Sequence, residues 1–209
     1  LFCTSADGVR ADRAKAWNLV DHIAKPSDFQ ALVATRAAAL AQASQRPAQT
    51  AGVKLKPLAR EIDAHGYRYE HVQVGFDRAS RTATLLVVGP ADGGPKDMAA
   101  IEKLGCDWWP IAFARQLDDA LLMLRQNELE LGTVILRTQG SVTAMLSLDR
   151  ILWSHRGHWL GRETIGLLRR TLARLDVTSR SLIAVIDAGS VFAGTLLELA
   201  LAADRSYML

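Results

Sequence analysis

The sequence contains little cysteine, few aromatic residues and no long apolar run. Its two cysteines, Cys3 and Cys106, are too few for a disulfide framework or a thiolate metal cage, so we expect a reducing, cytoplasmic environment. No stretch approaches the roughly 18 consecutive apolar residues of a membrane helix, which argues against a membrane-spanning protein. With 49% hydrophobic and 6% aromatic residues among 209, the composition is typical of a globular protein.

The chain also lacks a strong charge of either sign. It has 25 Lys and Arg against 22 Asp and Glu, a net charge of +3. No cluster combines basic and aromatic side chains, so we expect no nucleic-acid partner. Residue 1 is not methionine, no signal-peptide pattern follows it, and residues 207–209 read as the start of a strand. We therefore expect this chain to be an internal piece of a longer polypeptide.

The first part of the chain predicts two helices. Residues 12–18 alternate apolar and charged side chains, and Asn18 is suited to close that helix. Residues 18–23 then resemble a short strand. Ser27 is a good N-cap for an Ala-rich helix over residues 28–45. Between residues 46 and 58, proline and glycine replace bulky apolar residues, which predicts a linker and a domain boundary.

The second part of the chain predicts alternating strands and helices. Residues 67–75 and 82–88 have strand character and are separated by turn residues, which predicts a β-hairpin. Short apolar runs at 133–136 and 181–186 predict buried strands of the parallel type. The pattern indicates an α/β fold. Helices are predicted at residues 96–104, 113–129, 162–175 and 194–203.

Two segments of this second part resemble the crotonase (enoyl-CoA hydratase/isomerase) family. Residues 182–204 are similar to the family's strand, glycine turn and Glu-Leu-Ala helix, with Glu198 and Asp204 at the family's spacing of six. Residues 134–145 are similar in position to the family's first oxyanion loop, although they lack its Ala-Gly-x-Asp pattern. The family resemblance implies a fold of ββα spiral units.

A third segment, residues 8–21, resembles a late helix of a crotonase domain, yet it precedes the other two. This order implies that 1–45 is the C-terminal tail of a first crotonase-like domain. Residues 46–58 are then a linker, and 59–209 the N-terminal part of a second, degenerate domain. With residues 106–110 and 162–174, the order resembles a two-domain family member that opens the oxidised ring of benzoyl-CoA with water during aerobic benzoate degradation. The resemblance implies an acyl-CoA substrate and a homo-oligomer, with no metal or redox cofactor.

The resemblance also implies site residues. The N–H groups of Thr195 and Met145 would polarise the thioester carbonyl, Gly194 would let the thioester approach closely, and Glu198 would act as acid or base. Against this, the family's three-glycine turn is reduced to one glycine, so Leu196 is expected to crowd the substrate space. Two alternatives therefore stay open: a non-catalytic scaffold whose active site lies before residue 1, and an ordinary enoyl-CoA hydratase or isomerase.

Other candidate residues favour structural roles. His155 and His158 are spaced as a ligand pair that only Glu163 could complete, so a hydrogen-bonded surface pair is the preferred interpretation. We expect Cys106 to be a buried thiol and the Trp108–Trp109 pair to be core or interface. Arginines could contact coenzyme A phosphates, but a solvated helix face is preferred. These arginines are Arg156, Arg162, Arg169, Arg170, Arg174 and Arg180.

Overall fold

The computed structural model describes residue 6, residues 8–44 and residues 51–209. The chain forms two units, residues 1–51 and 52–209, whose boundary falls inside the predicted linker. Residues 46–50 of that linker lie outside the described residues, and 51–58 form neither helix nor strand. The assignment of 1–45 and 59–209 to successive crotonase-like domains stays a prediction.

The first unit contains helices α1 (Ala11–Ala16) and α2 (Phe29–Ala43), as predicted. Asn18 ends the first helix with a φ of +56°, and its N–H donates to the carbonyl of Lys15. The strand predicted at 18–23 is wrong: this segment contains a turn residue and two bends but no strand. Ser27 is not the N-cap of α2. The cap is Asp28, and the Ser27 hydroxyl donates to its carboxylate.

The second unit is built on a sheet of seven strands whose spatial order equals their order in the sequence. The first four strands pair antiparallel and the last four pair parallel, β4 belonging to both sets. This confirms the α/β class and the parallel-type strands predicted from the apolar runs. The strands are β1 (Glu61–Asp63), β2 (Gly66–Arg68), β3 (Val72–Asp77), β4 (Thr82–Val88), β5 (Thr133–Gln139), β6 (Ser181–Ile186) and β7 (Arg205–Met208).

The predicted hairpin is confirmed as β3 and β4, with Asp77 opposite Thr82. Its first arm, however, is two strands rather than one. The N–H of Tyr69 donates to the carbonyl of Val72, which turns the chain between β2 and β3. The N–H of His71 in that turn donates to the side chain of Gln116. One of these contacts is local to the turn and the other comes from a distant helix. The alternating pattern of residues 67–75 contains no sign of either, so it did not predict the break between the two strands.

Five helices accompany the sheet: α3 (Met98–Leu104), α4 (Trp109–Asn127), α5 (Val142–Ser154), α6 (Trp159–Leu172) and α7 (Leu197–Leu201). The predictions for α3, α4 and α6 are confirmed in position, although α4 and α6 begin earlier than expected. Residues 194–203 are not one helix, because Gly194–Leu196 forms a 3-10 turn before α7. Helix α5 was missed. Its signal was Ser141, whose hydroxyl accepts from the N–H of Ala144 as an N-cap.

The core lies between one face of the sheet and the helices. Alternate residues of the central strands, such as Leu85 and Leu136, are fully buried there with Phe113 of α4. Trp108 and Trp109 belong to this core, which confirms the structural interpretation of that pair. In the described part of the chain, no helix combines the length and apolar character needed to cross a membrane.

Candidate functional site

Helices α5, α6 and α7, with the turn before α7, enclose a cleft of about 700 Å³. Three of the four predicted site residues line it: Gly194, Thr195 and Glu198. Its other charged lining residues are Asp149, Asp176 and Arg169. Because three carboxylates face one guanidinium, the cleft is more negative than positive, which disfavours a ligand that carries phosphates.

The N–H group of Thr195 is engaged within the chain. It donates to Oδ2 of Asp149 over 2.6 Å, and the Thr195 hydroxyl donates to Oδ1 over 2.7 Å. Burial raises the pKa of the Asp149 carboxyl, and the two hydrogen bonds from Thr195 oppose that rise. The group expected to polarise a thioester therefore contacts a carboxylate of helix α5.

Gly194 precedes this contact with a φ of +54°, in the left-handed region. A Cβ atom built on Gly194 would lie 2.0 Å from Oδ2 of Asp149. Only glycine fits this position without displacement of the carboxylate. Because Gly194 has no side chain, the carboxylate of Asp149 can approach the backbone closely here.

Met145 lies away from the cleft. Its side chain is fully buried, and its N–H donates to the carbonyl of Ser141 over 3.0 Å in the first turn of α5. Residues 134–145, where the resemblance implies an oxyanion loop, thus comprise most of β5, two connecting residues and the beginning of α5. Leu196 also points into the core rather than into the cleft, so the expected crowding by that side chain is wrong.

Glu198 is exposed in the first turn of α7. Among the described residues it has no hydrogen-bond or ion-pair partner that would orient its carboxylate. Asp204, six residues later, has a structural contact: its Oδ2 accepts from the N–H of Leu182 over 2.7 Å at the start of β6. The spacing of the two acids thus brings one to the cleft and one to the sheet.

The comparisons with known proteins give one strong similarity. Over all 209 residues, the chain is 54% identical to the benzoyl-CoA-dihydrodiol lyase of Aromatoleum evansii. It spans 38% of that protein's length. No family model matches the chain.

A solved structure of an enoyl-CoA hydratase from Geobacillus kaustophilus HTA426 is a distant structural neighbour. It is 14% identical, and the match covers 68% of this chain and 46% of the hydratase at a TM-score of 0.42. A likeness this low carries no argument, so the ββα spiral stays a prediction. The similarity to the lyase is a similarity of sequence.

Two residues of the cleft were missed by the sequence analysis. Asp149 follows Met145 by one helical turn on α5, and it was overlooked because α5 itself was not predicted. Trp153, one further turn along, is 62% exposed at the cleft, with the guanidinium of Arg156 over its ring at 4.9 Å. The sequence did contain a signal for them: after Ser141, an Asp and a Trp follow at a spacing that places both on one face of a helix.

Each histidine of the pair contacts backbone atoms close to the start of a helix. Nε2 of His155 lies 3.0 Å from the carbonyl of Lys96, and Nδ1 of His158 accepts from the N–H of Leu160 as the N-cap of α6. Nε2 of His158 also lies 3.5 Å from Glu102. Within the described ranges, no group of three His, Cys, Asp or Glu side chains could hold a metal ion.

The candidate arginines divide into two sets. Arg162, Arg169 and Arg170 are exposed on α6, as expected of a solvated helix face, and Arg156 is also exposed. Arg174 and Arg180 are half-buried, which corrects that expectation for both. Arg174 pairs with Asp118 of α4, and Arg180 donates to main-chain carbonyls. The thiol of Cys106 is buried, as predicted.

Proposed function

We propose that this chain is a segment of a benzoyl-CoA-dihydrodiol lyase that opens the oxidised ring of a benzoyl-CoA derivative with water. The observation that carries the proposal is the 54% identity to the Aromatoleum evansii protein, which extends over all 209 residues. Because the segment spans 38% of that relative, the activity belongs to the whole polypeptide. We further propose a cytoplasmic homo-oligomer that needs no metal or redox cofactor.

Within that polypeptide, we propose that residues 52–209 support the fold and do not perform the acid–base step. The geometry of the cleft favours this role over catalysis. The N–H groups of Thr195 and Met145 already donate within the chain, and Glu198 has no described partner to orient it. Oxyanion stabilisation depends on preorganised free donors, so this cleft is poorly suited to a thioester.

The activity is tested with the whole polypeptide. We expect it to consume ring-oxidised benzoyl-CoA and release an aliphatic CoA thioester, which mass spectrometry would detect, with no turnover of crotonyl-CoA. Turnover of crotonyl-CoA alone would support an ordinary enoyl-CoA hydratase and contradict the lyase proposal. Gel filtration with light scattering checks the homo-oligomer, and metal analysis with EDTA treatment checks the absence of a metal requirement.

The supporting role is tested separately by Glu198→Gln in the whole polypeptide. We expect kcat and kcat/KM to stay at the wild-type level. Loss of an acid–base carboxylate typically costs 10²-fold or more, so a loss of about two decades would instead make Glu198 catalytic. Glu163→Gln, an exposed glutamate of α6 outside the cleft, is the matched control.

A further inference from the structure

We infer that Asp149 is an internal substitute for a bound anion: its carboxylate fills the turn at residues 193–195 from within and ties α5 to the segment that leads into α7. This inference deepens the supporting role proposed above, because it identifies the side chain that closes the turn. The contact itself exists whatever the whole polypeptide catalyses.

Asp149 contacts Thr195 at two points. One carboxylate oxygen accepts from the N–H of Thr195 and the other accepts from its hydroxyl, at 2.6 and 2.7 Å. Both oxygens of Asp149 therefore contact the same residue, 46 positions later in the chain. Hydrogen bonds to an ionised acceptor are stronger than those to a neutral one, so both contacts favour the charged form of this carboxyl.

The turn fits closely around the carboxylate of Asp149. Gly194 has a φ of +54°, and any Cβ there would overlap Oδ2 of Asp149. A substrate oxygen in this turn would also require a glycine at position 194. The carboxylate of Asp149 accounts for that glycine without a substrate. Leu146, one turn before Asp149 on α5, lies 3.6 Å from the same Cβ position, in ordinary van der Waals contact.

The carboxylate has no basic partner in the described part of the chain. Among the residues that the structure describes, no cation forms an ion pair with Asp149. Glu198 and Asp176 also line the cleft, and Arg169 is the only basic side chain among the described residues that line it. The two donors of Thr195 are therefore what holds this half-buried charge, since an unpaired buried charge is costly.

The test measures hydrogen exchange at the Thr195 amide and the melting temperature of the whole polypeptide, neither of which depends on activity. For Asp149→Ala, we expect roughly tenfold faster exchange at Thr195 and a lower Tm, because the amide loses a charged acceptor. Asp149→Asn keeps one acceptor oxygen without the charge and should fall between the wild type and Asp149→Ala in both quantities. Asp176→Ala, a carboxylate of the same cleft that does not contact Thr195, is the matched control and should change neither quantity.

Sodium formate serves as the probe for the vacated position. In Asp149→Ala, formate should slow exchange at Thr195 and raise Tm more than sodium chloride of the same ionic strength. It should do neither in the wild type. Unchanged exchange in Asp149→Ala, or formate no better than chloride, would overturn the inference while leaving the lyase proposal untouched.

A second pair of variants covers the case in which Asp149→Ala does not fold. Thr195→Val removes the hydroxyl donor and should lower Tm, whereas Thr195→Ser keeps the donor and should stay close to wild type. Equal Tm values for the two variants would show that the second contact contributes nothing and would count against the inference.

Discussion

Arg180, in the loop before β6, caps the C-terminal end of helix α4. Its Nη2 donates to the carbonyl of Leu124 over 2.9 Å and to that of Glu128 over 2.7 Å. Its Nη1 donates to the carbonyl of Thr178. The carbonyl of Leu124 also accepts from the N–H of Glu128, and that of Glu128 from the N–H of Leu131, so the guanidinium gives each carbonyl a second donor and links this end of α4 to the loop before β6.

Replacement of Arg180 by Lys is expected to lower the free energy of unfolding by about 1.5–3 kcal/mol, because one ammonium cannot reproduce the planar set of donors. Urea denaturation of both proteins measures the difference. Arg170→Lys, on the exposed face of α6, should stay within about 0.5 kcal/mol of wild type. Equal losses in the two variants would contradict the capping role.

Gly194→Ala is expected to destabilise the protein by more than about 1 kcal/mol, because Ala must adopt a positive φ and its Cβ meets Oδ2 of Asp149. Gly166→Ala is the control: it lies within α6 with no atom close to its Cβ position, and should gain about 0.5–1 kcal/mol. In the Asp149→Ala background the cost of Gly194→Ala should fall. An unchanged cost would mean that the positive φ, and not the contact with Asp149, causes the loss of stability.

The elements that the sequence predicted well are those whose own residues determine them. The β6 strand was predicted to the residue because Ser181–Ile186 is short, apolar and bounded by polar turns. The division of 67–75 into two strands was not predicted, since it depends on Gln116 of α4, which accepts from the N–H of His71. Such a contact is distant in sequence and leaves no periodic signal.

The candidate site was predictable only in part. Residues Gly194, Thr195 and Glu198 were placed together because they are neighbours in sequence, and they do share one cleft. The occupant of the turn was not predictable, because Asp149 lies on α5 and the family resemblance implies an oxyanion loop where that helix begins. Resemblance to a motif indicates where backbone donors lie, and it does not indicate whether another side chain already accepts from them.

Tyr67 gives an expected pH dependence at the alkaline end. Burial and a hydrogen bond to Glu128 raise the pKa of its phenol to about 12, from 10.0. The folded state therefore holds this proton longer than the unfolded state. The contribution of this phenol to the free energy of unfolding is fully present below pH 10.0 and is lost as the pH rises towards about 12. Urea denaturation across this range should show a weaker decline for Tyr67→Phe than for wild type, with exposed Tyr207→Phe as the control. Parallel curves for wild type and Tyr67→Phe would contradict this assignment.

Thr138 and Val191 form a buried contact that joins β5 to the segment after β6. The N–H of Val191 donates to the Thr138 hydroxyl over 2.8 Å, and both residues are almost inaccessible to solvent. Thr138→Val keeps the shape of the side chain but leaves that N–H without an acceptor, which typically costs about 1–3 kcal/mol. Thr138→Ser keeps the acceptor and loses only a methyl group, so it should cost less than Thr138→Val. Denaturation of both variants decides the matter: a Ser variant less stable than the Val variant would show that methyl packing, rather than the hydrogen bond, holds this segment to β5.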